Sequence, residues 1–344
     1  MQLRVLTCVS LLAAATVAFG QEAPSAPTPP APAGVSPAPQ ETAAPFPPAN
    51  PADFTAPAPT KQTVEDFLHA YWGYDESRQW QVQAILKTPA EGVAHVVVLV
   101  KSTAGDPKQK DQTAQLAFYT LPDGKWLVAD QLLPFGAKPF QDNRDALQSG
   151  ATGPSRGGSS KAMEIVEFAD FECPHCKDAQ PIIANLMRDY PSIHFVYQDY
   201  PLVQVHTEAM KASLHGYCVS KAGGNEAFFK FADAVFDGQV GLTPASSDQT
   251  LKDAETKAGQ DPAKIAACAA TPEASQAIQA SLALGNKIGV NSTPTIFVNG
   301  RGLPVTGIPY PTLQKIIEFQ AKLDGVALPP APPAPAPKPA PSLR

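Results

Sequence analysis

The sequence predicts two folded units of mixed helix and strand, a small α+β unit followed by a larger α/β unit. In the first, one amphipathic helical pattern precedes four short β-rich runs. In the second, two β-α-β pieces flank a long block of helical patterns, which favours a mixed sheet with helices on both faces. A chain of 344 residues has room for about two domains of ordinary size.

Composition marks the segments around these units. The predicted boundaries are a signal peptide at 1–20, a Pro/Ala-rich linker at 21–60, a small α+β domain at 61–148, a Gly/Ser linker at 149–161, an α/β domain at 162–325 with a helical insertion at about 205–288, and a Pro-rich tail at 326–344. The Pro-rich stretches contain almost nothing to bury, so they are predicted to be extended spacers.

The N-terminus has the pattern of a secretory signal peptide. Arg4 supplies positive charge, residues 5–19 are almost wholly apolar, and Gly20 ends a small-residue cleavage site. The alternative is a membrane anchor, but this apolar run falls short of the ~20 residues that a spanning helix needs. We therefore expect a periplasmic or otherwise extracytoplasmic protein. A net charge of −6 without a basic cluster argues against a nucleic-acid partner.

The first unit is predicted to be one helix on a small antiparallel sheet. Apolar residues follow helical spacing behind Thr63, the predicted N-cap. Strands are predicted over residues 80–86, 94–101, 113–120 and 125–132. Asp123-Gly124 marks a hairpin turn. His69 and His95 are isolated from any other acid, base or nucleophile, so no catalytic role is assigned to this unit.

The second unit opens with an apolar strand that runs from Glu164 into two cysteines. Cys173 and Cys176 are spaced C-x-x-C, and apolar residues at helical spacing follow at once. Cys173 is therefore predicted at a helix N-terminus, where free N–H groups and the helix dipole stabilise a thiolate. This arrangement predicts a dithiol redox site, with a buried structural disulfide as the alternative.

The remaining elements of the second unit follow in order. A strand is predicted at 193–197, helices at 209–221, 226–236, 248–258, 262–269 and 273–288, strands at 295–298 and 303–306, and a final helix at 311–322. Pro294 lies just before a strand, where it indicates either a sheet edge or a cis bond.

The other cysteines predict a structural pair. Removal of the signal peptide, with Cys8, leaves four cysteines, and so few in a large exported chain indicate one active pair and one structural pair. Cys218 and Cys268 lie on two predicted helices of the insertion, where a disulfide would close a loop of about fifty residues. Free buried thiols are the alternative.

Two motifs flank the helical insertion. The first is Phe168-x-x-Phe171-x-Cys173-Pro174-His175-Cys176, and the second is Gly289-Val290-x-x-Thr293-Pro294-Thr295. Together they resemble the DsbA-like thioredoxin-fold thiol–disulfide oxidoreductases of the bacterial envelope, over about residues 163–323. The resemblance implies an α/β fold class, a thioredoxin fold with a helical insertion, preceded by the small α+β domain. That preceding domain is similar in outline to the dimerisation domains of DsbC- and DsbG-type isomerases, which implies a homodimer.

The resemblance also implies catalytic roles. Cys173 is the nucleophile, Cys176 is the buried resolving partner, and Pro174 fixes the helix start. His175 stabilises the Cys173 thiolate. Glu167 matches the buried acid of the family and would accept a proton from Cys176, with a solvated strand-end acid as the alternative.

The second motif and the acids near the dithiol complete the predicted site. Thr293 and Pro294 resemble the family's cis-proline loop, against which a client peptide binds as an added strand. An ordinary trans proline is the alternative. Asp170 and Glu172 are expected to be exposed, where their negative charge opposes a very low thiol pKa.

These observations predict an exported enzyme that exchanges disulfides with extracytoplasmic proteins. Pro174-His175 between the cysteines favours an oxidase, whereas Thr293 before the proline is typical of DsbC-type isomerases, so an isomerase or reductase is the alternative. A client-binding chaperone with incidental redox activity is a second alternative. The expected partners are unfolded or cysteine-containing secreted proteins and an unidentified redox recycling partner.

No cofactor or metal is expected. The chain has one C-x-x-C without a second ligand pair at zinc-finger spacing, and Lys177 stands where haem attachment needs histidine. His194, His206 and His215 are scattered along the chain and are expected to be structural.

Overall fold

Two five-stranded sheets form in the described part of the chain, which is residues 45–103, 112–129 and 132–328 of the computed structural model. The predicted signal peptide, residues 21–44 of the predicted linker and residues 329–344 of the predicted tail lie outside the described residues. Within the described ranges, no helix combines the length and the apolar character needed to cross a bilayer.

The first sheet is an antiparallel meander preceded by one helix. Its elements are α1 (Lys61–Trp72), β1 (Arg78–Lys87), β2 (Ala94–Ser102), β3 (Gln112–Thr120), β4 (Trp126–Val128) and β5 (Leu132–Pro134). The strands pair in chain order. Alternate residues of β2, including Val96 and Val98, are buried in a core with Val64 and Leu68 of α1. This is the predicted α+β arrangement.

Three features of this unit differ from the prediction. Thr60 is the N-cap of α1 in place of Thr63, because its side-chain oxygen accepts the Thr63 N–H at 3.1 Å. The strand predicted over 125–132 is replaced by two short strands, β4 and β5, which pair antiparallel. The end of the predicted linker packs on the sheet, since Phe46 is buried and Phe54 bridges to Ile85.

The second sheet is mixed and has helices around it. Its elements are α2 (Gln141–Gly150), β6 (Ser155–Gly157), β7 (Glu164–Ala169), α3 (Pro174–Asp189), β8 (His194–Asp199), α4 (Ala209–Asp237), α5 (Ser247–Lys257), α6 (Pro262–Ala269), α7 (Pro272–Lys287), β9 (Thr295–Val298), β10 (Arg301–Pro304) and α8 (Tyr310–Leu323). The strand order is β10-β9-β7-β8-β6, with β7 and β8 parallel and the other pairs antiparallel. Every residue of β7 is buried, as in a strand covered on both faces.

Part of the segment predicted as a Gly/Ser linker belongs to this sheet. β6 pairs antiparallel with β8. Gly157 at its end has a φ of +86°, and a Cβ there would lie 2.2 Å from the Ile193 carbonyl oxygen, so glycine permits this close approach of two backbones. Residues 141–148, assigned to the small domain by the sequence, belong to α2, whose Leu147 packs in a core cluster of the second sheet.

The insertion between β8 and β9 contains α4 to α7. α4 spans two predicted helices, and Gly224 between them has a φ of +73° and kinks the chain. A disulfide joins Cys218 of α4 to Cys268 of α6 across 50 residues of sequence. Phe231 of α4 packs edge-on against Phe171, so the insertion covers the turn that leads into α3.

Arg301 on β10 links the second sheet to the helix α1. It is 4% exposed and donates to the carbonyl oxygen of Tyr71 at 3.2 Å and to that of Ala70, near the C-terminal end of α1. Its guanidinium lies 4.3 Å from the centre of the Phe140 ring. Carbonyl groups at a helix C-terminus carry partial negative charge, so a buried cation suits this position.

Candidate active site

The turn between β7 and α3 places two thiols at the start of a helix. Cys173 is the N-cap of α3, and Pro174 is the first helical residue, where its fixed φ suits the helix and no N–H is needed. Cys173 is 5% exposed, whereas Cys176, one turn further on, is 0% exposed. Both are free cysteines.

The surroundings of Cys173 favour its thiolate. They lower the pKa of Cys173 to about 5, mainly through the hydrogen bond with the Cys176 side chain. The Thr293 side chain and the backbone N–H groups of Cys176 and His175 lower it further, whereas burial opposes the shift. His175 thus contributes through its backbone, one of the free N–H groups of the first helical turn. Its imidazole is 70% exposed, and its Nδ1 lies 4.0 Å from an Asp178 oxygen.

Cys176 has the opposite environment. Burial, followed by the interaction with Cys173, raises the pKa of Cys176 far above that of a free thiol. Its Sγ accepts the backbone N–H of Asp170 at 3.4 Å. The pair is therefore asymmetric, with a thiolate favoured at Cys173 and a protonated thiol at Cys176.

Glu167 is a buried acid on β7, six residues before Cys173. It is 0% exposed, and neither carboxyl oxygen has a hydrogen-bond partner of good geometry among the described residues, so a solvated acid is excluded. Burial raises the pKa of Glu167 to about 7, although Arg156 and Gln180 oppose part of the rise. The Glu167 charge contributes to the raised pKa of Cys176. A carboxyl that titrates near neutral pH is suited to exchange a proton with that thiol.

Asp170 is fully buried, so the expectation that it is exposed is wrong. Its carboxylate turns inward because three N–H groups donate to it. Oδ1 accepts the Glu172 backbone N–H at 2.8 Å, and Oδ2 accepts the Leu202 backbone N–H at 2.8 Å and His206 Nδ1 at 2.7 Å. Glu172 is half-buried and accepts the Glu208 N–H at 2.7 Å. Neither acid is a freely solvated charge beside the dithiol.

The loop before β9 meets the dithiol. Thr293 is 8% exposed, and its carbonyl oxygen lies 3.5 Å from the Cys173 Sγ. The Thr293–Pro294 peptide bond is cis. Thr295, where β9 begins, pairs with Phe168 of β7, so sheet pairing holds this loop beside the end of β7.

Gln239 is a site residue that the sequence did not indicate. It lies in a short 3₁₀ turn after α4, and its amide donates to the carbonyl oxygens of Phe171 at 2.8 Å and Cys173 at 2.9 Å. These carbonyls belong to the turn that carries the dithiol, so Gln239 ties the insertion to that turn. The residue is 66 positions from Cys173 and belongs to no motif, so only the tertiary fold brings it here.

The other predicted site residues have structural surroundings. Cys218 and Cys268 are oxidised to a disulfide within the insertion. His215 pairs with the buried Glu255, and His194 Nδ1 lies 2.8 Å from the Gly158 carbonyl oxygen. In the described ranges, no group of three or more His, Cys, Asp or Glu side chains is arranged to hold a metal ion.

The arrangement supports thiol–disulfide chemistry. A thiolate at Cys173 can attack a disulfide sulfur, and a second thiol one helical turn away can release the resulting mixed disulfide. Thr293 presents backbone next to the reacting sulfur, where an extended peptide can pair.

Comparisons with known proteins add a family match. Residues 151–318 match the family model described as Thioredoxin. Among curated proteins, the chain is 32% identical over 146 residues to the Na(+)/H(+) antiporter NhaA 3 of Salinispora tropica, which covers 42% of this chain. This chain spans only 21% of the length of that relative.

The solved structures that are similar to about half of this chain include two that are 25% identical to it. A thioredoxin-like oxidoreductase from Silicibacter pomeroyi is 25% identical, with a TM-score of 0.44 over 52% of this chain and 98% of that chain. Proteus mirabilis ScsC in a transitional conformation is 25% identical, with a TM-score of 0.44 over 53% of this chain and 77% of that chain.

Proposed function

Because residues 151–318 match the family model described as Thioredoxin, we propose that this protein exchanges disulfides with extracytoplasmic proteins. The predicted fold class, a thioredoxin fold with a helical insertion, is confirmed. The chemistry of this family is thiol–disulfide oxidoreduction, and the protein is an enzyme of that class.

The observation that carries the proposal is the asymmetry of the two thiols. Cys173 is at a helix N-terminus, its pKa is lowered to about 5, and its sulfur meets the Thr293 carbonyl group. Cys176 is fully buried and its pKa is raised. One cysteine is thus suited to react with a client and the other to close the internal disulfide.

The proposed reaction in the oxidising direction has two exchanges. In the first, a client thiolate attacks Cys173 Sγ of the internal disulfide, the Sγ–Sγ bond breaks, and Cys176 leaves as a thiolate that takes a proton from Glu167. In the second, another client thiolate attacks the client sulfur of the mixed disulfide and releases the Cys173 thiolate. The client is oxidised to a disulfide by two electrons, and the protein is reduced to its dithiol. The disulfide of a recycling partner accepts these electrons in the reverse sequence of exchanges.

The favoured direction is oxidation. Stabilisation of the Cys173 thiolate favours the reduced protein and makes the disulfide form a stronger oxidant. Thr293 supports the alternative of a disulfide isomerase or reductase. Refolding of reduced RNase and of scrambled RNase separates the two: an oxidase acts on the reduced protein, and an isomerase acts on the scrambled one. Equal failure on both substrates, with Cys173 and Cys176 intact, contradicts the proposal.

A client-binding function is the second candidate, favoured by exposed valines. Val203 is 46% exposed, Val205 is 70% exposed and Val240, next to Gln239, is 90% exposed. The variant Cys173→Ala separates the candidates, because an enzyme loses exchange activity whereas a chaperone retains suppression of client aggregation.

The proposed compartment is the periplasm or another extracytoplasmic space. The support is the signal-peptide pattern at 1–20 and the Cys218–Cys268 disulfide, since such bonds persist in oxidising compartments. The proposed clients are unfolded or cysteine-containing secreted proteins. N-terminal sequencing of the exported protein tests the cleavage, with Gln21 as the expected first residue; retention of Arg4 in the mature protein contradicts it.

A homodimer through the first sheet is proposed from the edge of β3. This strand contains no charged residue, and its first six residues are exposed. In the described ranges, residues 112–118 pair on one side with β2, and β4 reaches only Tyr119 and Thr120. Uncharged open edges pair readily with another strand, here a second copy. Leu116→Lys is expected to change the sedimentation coefficient from that of a dimer to that of a monomer. The control is Leu132→Lys on the short strand β5, which is expected to leave the sedimentation coefficient unchanged. A wild-type protein that sediments as a monomer contradicts the proposal.

A further inference from the structure

Asp170 contacts both cysteines through its main chain. Its carbonyl oxygen accepts the Cys173 N–H at 3.2 Å, and its N–H donates to Cys176 Sγ at 3.4 Å. The position of this residue therefore sets the geometry of the turn and the one backbone hydrogen bond to the Cys176 sulfur that the described residues supply. A change at the Asp170 side chain is transmitted to the dithiol without any contact between that side chain and a client.

The Asp170 side chain is held from two directions. Oδ1 accepts the Glu172 N–H at 2.8 Å and shapes the turn from within. Oδ2 accepts from a separate loop that follows β8, at the Leu202 N–H and at His206 Nδ1. Because the carboxylate oxygen is the acceptor, Nδ1 carries the hydrogen of this 2.7 Å bond. The imidazole is 18% exposed, whereas Asp170 is fully buried.

We propose that His206 is a positioning residue for thiol–disulfide exchange, acting on Cys173 and Cys176 through its hydrogen bond to Asp170. The inference deepens the proposed function and rests on it. His206 supplies one of three donors that offset the buried carboxylate charge, and a buried carboxylate with an unfilled acceptor position is strongly destabilised. It also fixes the loop of residues 202–206, because the His206 N–H donates to the Leu202 carbonyl oxygen at 2.9 Å.

The chemical consequence lies in the reduced protein. A sulfur that gains negative charge is stabilised by an N–H donor and destabilised by a neighbouring carboxylate that has lost a partner. Loss of the His206 hydrogen bond weakens the N–H donor and strengthens the carboxylate repulsion, and both effects disfavour the negative charge that the reduced pair holds at Cys173. The reduced form becomes less favourable, so the disulfide form becomes a weaker oxidant. The other titratable groups that face these residues are Glu167, Tyr197 and Asp199, and substitution of His206 leaves them in place.

The test compares two histidine–carboxylate pairs in the full-length protein. His215 donates to the buried Glu255 within the insertion, with 13% of its side chain exposed, so His215→Ala removes a similar pair that does not contact the dithiol turn. The equilibrium constant for reduction by glutathione is measured for both variants. His206→Ala is expected to lower this constant about tenfold, equivalent to a potential ~30 mV more negative, and to raise the pH midpoint of Cys173 alkylation. His215→Ala is expected to lower the melting temperature with the constant unchanged.

Two further measurements keep the inference open to refutation if His206→Ala does not fold. In His206→Asn, the side-chain amide replaces the Nδ1 donor, so the constant is expected to return towards the wild-type value. In the wild-type protein, the imidazole resonances of His206 are expected to shift between the oxidised and reduced states more than those of His215. A wild-type constant in His206→Ala, or equal resonance shifts at the two histidines, overturns the inference. Such a result leaves the proposed function intact, which fails instead if the wild-type protein exchanges no disulfides or if Cys173→Ser retains exchange activity.

Discussion

Replacement of Glu167 by glutamine tests the buried acid beside the dithiol. Burial raises the pKa of Glu167 to about 7 from an ordinary 4.5. The unfolded chain therefore ionises at a lower pH than the folded protein does. The contribution of protonated Glu167 to the free energy of unfolding is fully present below pH 4.5 and is lost as pH rises through about 7. The separation of the two pKa values corresponds to about 3 kcal/mol in the free energy of unfolding.

The assay is urea unfolding of the reduced protein at pH 4 and pH 8. Glu167→Gln is expected to lose about 3 kcal/mol less stability than the wild type between these two conditions. Comparison of the two pH values cancels any effect of the substitution that does not depend on pH, such as a change in packing. An identical pH dependence in variant and wild type refutes the reasoning, because it means that Glu167 has the same pKa in the folded protein as in the unfolded chain.

A kinetic readout separates a proton-transfer role from a structural one. Glu167→Gln is expected to slow the release of mixed disulfides by Cys176 about 10–100-fold, since no carboxyl remains to exchange a proton with that thiol. The control is Glu164→Gln, which changes another buried acid on β7 whose pKa is also raised by burial. That variant is expected to alter the pH dependence of stability and to leave the kinetics unchanged. Equal rates in the Glu167 variant and the wild type contradict the role.

Three other predictions concern the surrounding residues. Alkylation of Cys173 is expected to have a pH midpoint near 5, and a midpoint like that of a free thiol contradicts this. His175→Ala should change the alkylation rate at that pH less than about tenfold, because backbone N–H groups and not the exposed imidazole stabilise the thiolate. Gln239→Leu should lower the free energy of unfolding by about 1–3 kcal/mol and speed amide hydrogen exchange in the dithiol turn, since it removes two hydrogen bonds. The control Gln249→Leu, which removes one exposed hydrogen bond to Asp253, should change neither. Replacement of both Cys218 and Cys268 by serine should lower the free energy of unfolding by about 2–4 kcal/mol and leave the reduction potential of the Cys173–Cys176 pair unchanged. A shifted reduction potential in urea-free buffer contradicts this, because it shows that the insertion disulfide acts on the site.

The parts of the fold that the sequence predicted depend on local patterns. The strand β7, the helix start at Cys173 and the helices of the insertion each have their signal within about one element of sequence. The Thr293–Pro294 loop was identified by its motif and lies beside Cys173. Buried strands with continuous apolar runs and capped helices can be predicted from their own residues, without knowledge of the segments that they contact.

The parts that could not be predicted depend on contacts between distant segments. Asp170 is a polar residue whose type alone predicts exposure, yet hydrogen-bond donors from Leu202 and His206 hold its carboxylate in the interior. Gln239 donates to backbone carbonyl groups 66 and 68 residues away. Because every residue has such a carbonyl group, the residue types at the two acceptors do not reveal this contact. β6 is too short for a periodic signal and exists because β8 offers an edge to pair with.

The most direct test of the central claim is an equilibrium titration of the full-length protein against glutathione, read by mass spectrometry of the peptides that contain Cys173 and Cys176. A single two-electron transition that links these two residues is expected, at a potential more positive than about −180 mV if the protein is an oxidase. The transition should vanish in Cys173→Ser. Two thiols that stay reduced through the oxidising end of the titration, or a disulfide that forms between other cysteines, contradict the account.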